Sequence, residues 1–217
     1  ERHFEWLRLR GRDDFTALQT LKRQLALPAA AVDGASGAKG RAAVQKAYAR
    51  AGAIDALLAV LRIPLAADHA VEEAPARLQL IGVLTLAYKA LTALVTAHPA
   101  AQRTVAPQLA KLAPAHLTTK VTEEVRNSAT PASLACIRAT FGGRPELCAS
   151  AAAPLLAPLA RAAFAGRSAD AAATLTVLIA ADGRPTRAHQ LATANRAVAA
   201  ARAGEFGLSA GDGEVGL

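Results

Sequence analysis

Apolar positions along this chain fall at helical rather than strand spacing. Between Glu1 and Leu27, Phe4, Leu7, Phe15, Leu18, Leu21 and Leu25 recur three, four and seven apart within two runs, the stripe expected of amphipathic helices. Gly11 with Arg12-Asp13-Asp14 predicts the break between those runs, because Asp is a good helix N-cap. The single tryptophan, Trp6, is expected to cover the end of the core. Residues 28–40, rich in Ala, Gly and Ser, read as a flexible loop. Arg41 to Leu61 reads as a helix pair or one broken helix, with a small turn at Ala51-Gly52, and Pro64 to Pro75 as an acidic connector carrying His69, Glu72 and Glu73, so that residues 64–76 link two helical stretches. Leu78 to Ala97 is the most apolar run. Gln102 to Leu117 predicts a short helix trimmed by Pro107 and Pro114, and Thr119 with Thr122-Glu123 predicts a capping box that opens another. From Gly204 the apolar period stops, which marks residues 204–217 as a loose tail behind one helical domain spanning 1–203.

Within this pattern one unit recurs. Ser133 to Phe141 turns at Gly142-Gly143-Arg144-Pro145 and resumes at Glu146-Leu147-Cys148. Ala171 to Ala181 turns at Asp182-Gly183-Arg184-Pro185 and resumes at Thr186-Arg187-Ala188. Gly suits the left-handed residue that ends a helix, and Pro suits the first turn of the next. A looser copy runs from Leu91 to Gln108 with its break at His98-Pro99. Helix–turn–helix units of about forty residues are the period of armadillo and HEAT arrays. The expected fold is therefore all-α, an armadillo/HEAT-like right-handed α-solenoid, with Leu91, Leu94, Leu134, Ile137, Leu175 and Leu178 in its core.

Composition sharpens the picture in a few places. Few aromatic and scattered β-branched residues, with abundant Ala and Leu, favour closely packed helices over sheets. At 217 residues the chain is long enough for a substantial core. The net charge of +8 is spread along the whole sequence, which favours a solvated surface over a patch for nucleic acid, an anionic membrane or acidic protein partners. The chain holds no methionine, even at its first position, and is expected to be an excised segment or a processed product. Cys136 and Cys148 flank one turn and lack metal-ligand spacing, so buried thiols in a reducing compartment are expected. A membrane span over Leu78 to Ala97 is opposed by Lys89 in mid-segment, where a charge costs roughly 2.5–3.5 kcal/mol; Tyr88 and Lys89 are instead expected to reach the surface of a buried helix.

No catalytic constellation emerges. Gly34 to Gly40 lacks the spacing of a phosphate loop. His3, His69, His98, His116 and His189 stand apart from one another and from paired carboxylates, and read as turn or surface residues. Ser128, Ser133 and Ser168 are placed as helix caps. Aromatics are too sparse to interleave with arginines as stacking platforms, which argues against nucleic acid.

Three stretches resemble one family. Leu91 to Leu112 with His98-Pro99-Ala100-Ala101-Gln102, Ser133 to Cys148, and Ala165-Gly166-Arg167 through Leu175 to Ile179, Asp182 to Pro185 and His189-Gln190 resemble the RIH domain shared by ryanodine and inositol trisphosphate receptors. The similarity covers Leu91 to Ala201, about half of the chain, and departs from the family at Ala101 and His189, where Asn is favoured before Gln. It implies a cytosolic, armadillo-like coupling module of a calcium-release channel, on the cytosolic side of an endoplasmic-reticulum-type membrane. The family's ligand-binding basic residues have no counterpart motif here, so inositol phosphate binding by this piece alone is not expected. The functional expectation is a non-enzymatic interaction module without cofactor or metal, whose partners are neighbouring protein domains or subunits with acidic surfaces. Arg103, Arg138, Arg144, Arg184 and Arg187, at or near the repeated turns, are the candidate contacts. A scaffold subunit of a ciliary or organellar assembly, and a basic solenoid binding nucleic acid, are the alternatives.

Overall fold

A computed structural model describes residues 12–62, 74–118, 123–164, 168–181, 184–185 and 195. The described residues are almost entirely helical, confirming the all-α expectation. Nine helices follow in order among them: α1 (Arg12–Asp33), α2 (Gly37–Arg50), α3 (Ala53–Leu61), α4 (Ala74–Val95), α5 (Pro99–Thr118), α6 (Glu123–Phe141), α7 (Pro145–Ala151), α8 (Ala153–Phe164) and α9 (Ala169–Ile179). Packing follows two rows. In one row α1 lies on α4, α4 on α6, and α6 on α9; in the other α3 contacts α5, and α5 contacts α8. The rows are joined through α3 on α4, α5 on α6, and α8 on α9.

The core between the rows is continuous and built largely from Leu and Ala. Leu91, Leu94, Leu134, Ile137, Leu175 and Leu178 are all buried, as the helical spacing predicts. Alanines at Ala87, Ala90, Ala106, Ala110 and Ala113 are buried beside them, and their small side chains let neighbouring helix backbones approach. Fully burying a Leu or Ile side chain stabilises by about 1.5–3 kcal/mol, so the leucines of α4, α5 and α6 hold the two rows together. No described helix is long and apolar enough to cross a membrane. Lys89 is exposed as expected, but Tyr88 is fully buried rather than at the surface. Its position points to the α4 face that also carries Leu84 and Leu91, so packing overrides its polar tip.

Several boundaries differ from the sequence expectation. The loop expected over 28–40 is mostly helix: α1 runs through to Asp33 with Pro28 inside it, α2 begins at Gly37, and only residues 34–36 are non-helical. The Ala29-Ala30-Ala31 run has high helix propensity, and Pro28 is buried against the core side, which offsets the backbone bond that proline removes. Likewise α5 continues through Pro107 and Pro114 instead of stopping at them. Ser128 and Ser133 lie inside α6, not at helix starts, whereas Ser168 caps α9 as expected, its Oγ accepting from the Ala171 N–H at 3.2 Å. The pair α2 and α3, with its turn at Ala51-Gly52, agrees with expectation. Trp6, the 64–73 part of the connector, Thr119, Thr122 and the 204–217 tail lie outside the described residues.

The expected repeat is described in part. Gly142-Gly143-Arg144-Pro145 does join two helices, with Gly143 left-handed at φ 66. At its counterpart Asp182 to Pro185, α9 is followed by a two-residue antiparallel ladder, Ala180 opposite Pro185 and Ala181 opposite Arg184, and the resumption expected at Thr186-Arg187-Ala188 lies outside the described residues. The looser copy matches the first one. There Ala97 is left-handed at φ 55, and His98-Pro99 leads into α5 just as Arg144-Pro145 leads into α7. The two equivalent turns are 46 positions apart, not forty.

Candidate functional site

The polar groups that the fold draws together lie along the ends of the helices. The last turn of an α-helix leaves carbonyls without intrahelical donors, and here side chains from neighbouring helices supply them. Gln45 of α2 is buried, and its Nε2 donates at 2.8 Å to both Ala93 O and Thr96 O at the end of α4. Gln102 of α5 is also buried, and its Nε2 donates at 2.8 Å to Ala139 O in the last turn of α6. The Oε1 of Gln102 accepts from Arg144 Nε at 2.9 Å, so one amide ties α5 to the end of α6 and the start of α7. In α7, Cys148 lies with its Sγ 3.5 Å from Phe141 O and 3.9 Å from Val177 O of α9.

Gln102 and Cys148 occupy the same place in the two equivalent turns. Each is the fourth residue after the turn residue, and each closes the first helical bond, Gln102 N to His98 O and Cys148 N to Arg144 O, both 3.0 Å. His98 adds a cap of its own, Nδ1 accepting from Ala101 N at 3.1 Å. It is thus a turn histidine, as its isolation in sequence implies.

The five candidate arginines separate into three groups. Arg103 is exposed on α5. Arg138 and Arg144 are half-buried and engaged within the fold. Arg138 Nη1 donates to Thr174 Oγ1 at 2.9 Å and to Asp170 O at 3.1 Å, with Asp170 Oδ1 at 3.4 Å, and so fastens α6 to the start of α9. Arg144 pairs with Glu146 at 3.4 Å, while its Nη2 is buried without a hydrogen-bond partner. Both carboxylates are largely exposed, so these ion pairs contribute little beyond the charged hydrogen bonds. Arg184 sits in the short ladder, and Arg187 lies outside the described residues. The turn arginines were legible as a repeated motif and Gln102 as part of a turn; Gln45 was not, because a lone Gln within a helical run carries no spacing signal.

The thiols are packing groups. No disulfide joins Cys136 and Cys148, and both are buried. Burial pushes the Cys136 thiol up to about 12, with hydrogen bonds to Thr92 and Thr140 lowering it in part. At neutral pH Cys136 therefore stays a protonated, buried thiol. Tyr88 is raised well above its ordinary value, first by burial and then by the neighbouring Cys136. Among the described residues no group of three or more His, Cys, Asp or Glu could hold a metal ion.

Comparisons with protein families, with curated proteins and with solved structures found no match to this chain.

Proposed function

We propose that the chain is an armadillo-like right-handed α-solenoid acting as a non-catalytic interaction and conformational-coupling module, of the kind the RIH resemblance implies for calcium-release channels. One observation carries this reading: equivalent positions in successive units, Gln102 and Cys148, each reach the last turn of a helix in the next unit. A helix pair cannot bury its apolar face alone, and stacking pairs creates one elongated core. Units keyed end to end in this way transmit a displacement of one helix to its neighbour, the property a coupling module needs. The internal engagement of Arg138 and Arg144 removes both from a surface for phosphates, which favours protein partners over nucleic acid.

The test is the size and membrane association of the native parent polypeptide, followed with an antibody to this segment on fractionated cells before and after an alkaline wash. A very large band retained in the membrane supports the channel-module reading. A small, soluble band ends it in favour of a scaffold subunit, and co-sedimentation with a large particle identifies the assembly.

A further inference from the structure

The surface feature that the internal contacts leave unexplained is α2. It carries Lys39, Arg41, Lys46 and Arg50, all exposed, and no acidic residue. At about 100° per residue, Lys39, Lys46 and Arg50 fall within about 40° of one another, a single ridge about 16 Å long. Val44 and Tyr48 on the opposite side pack against the core. Gln45, roughly 100–140° around the helix from the ridge, is buried and bonded twice to the end of α4. That anchor fixes the rotation of α2 and keeps its basic ridge facing outward. None of the three cations forms an ion pair among the described residues.

We propose that this ridge docks an acidic helical segment of a partner protein, a proposal that rests on the interaction-module reading and gives it a surface. The flanks of the ridge are Ala42, Ala43 and Ala47, all exposed, and residues this small admit a second helix at close range. Cations spaced seven and four apart match carboxylates repeating at the same helical spacing on that second helix. The ridge presents no aromatic for base stacking and no bulky apolar group for insertion into a lipid interface, so nucleic acid and membrane fit it less well.

The experiment measures binding of the full chain to a labelled Ala-based helical peptide with glutamates four and seven apart, and to a permuted peptide of equal composition. A DNA duplex and vesicles containing anionic lipid are measured alongside. The patterned peptide binds about tenfold more tightly than the permuted one, and the triple variant K39E/K46E/R50E loses that preference while its circular dichroism and melting temperature stay unchanged. Equal binding of the two peptides, undiminished binding by the variant, or tighter binding to duplex or vesicles overturns the proposal. Hydrogen exchange on the same protein reports the array separately, so loss of the ridge and loss of the module reading are distinguishable.

Discussion

Replacing Gln102 by methionine keeps the side chain's length and removes both of its polar ends. Ala139 O then loses a donor at 2.8 Å and Arg144 Nε loses an acceptor at 2.9 Å. Leaving a buried polar group unpaired costs about 1–3 kcal/mol, and more when the group is charged. Arg144 retains 23% side-chain exposure, so water relieves part of its loss, and the expected sum is about 2–4 kcal/mol. For a domain of this size each kcal/mol lowers the melting temperature by about 2–4 °C, which places the Q102M midpoint roughly 5–15 °C below the parent. Urea unfolding gives the free energy directly, with Gln24→Ala on the exposed face of α1 as a control expected within about 0.5 kcal/mol of the parent. A double-mutant cycle with Arg144→Met isolates the shared bond. If Q102M lies within the range of the control, the amide is not the joint between α5, α6 and α7.

The equivalence of the two turns makes a second prediction: Ala97→Gly relieves a left-handed alanine and stabilises by about 0.5 kcal/mol, whereas Gly143→Ala destabilises by about 1 kcal/mol, both read from urea midpoints. A third concerns alkaline pH. The folded Cys136 thiol keeps its proton to about 12, while the unfolded thiol releases it from about 8.5. In that window the unfolded state binds fewer protons, so stability is intact below pH 8 and falls as pH rises, by about 2 kcal/mol at pH 10. Tyr88, also raised by burial, adds a loss of the same sign at higher pH. Cys136→Ala removes the first part of that slope, which denaturation at pH 7.5 and 10 measures.

The parts of the fold legible in sequence are those set by local periodicity. Leu91, Leu94, Leu134 and Ile137 sit at helical spacing and are buried, and Gly143 with Pro145 marks a helix junction by backbone preference alone. Proline misleads where tertiary packing outweighs its cost: Pro28, Pro107 and Pro114 all lie inside helices. The Gly-Arg-Pro motif is identical at 143 and 183, and at the second copy Arg184 and Pro185 also pair with the end of α9 in a two-residue ladder, a contact that the motif itself does not announce. The helix-end contacts were beyond reach for a different reason. Gln45 and Ala93 are 48 residues apart, and only the stacking of α2 on α4 makes them partners. For the same reason Arg138 and Arg144 read as surface charges until α9 and α5 are placed beside them.

The measurement that separates an array from a single cooperative bundle is residue-resolved native-state hydrogen exchange on the parent protein and on Gln45→Met. Loosening the joint between α2 and α4 in a nearest-neighbour array lowers protection in α1 to α4, leaving the amides of α8 and α9 at their original rates. An equal loss of protection from α1 through α9 would contradict the array, and with it the proposed coupling of one unit to the next.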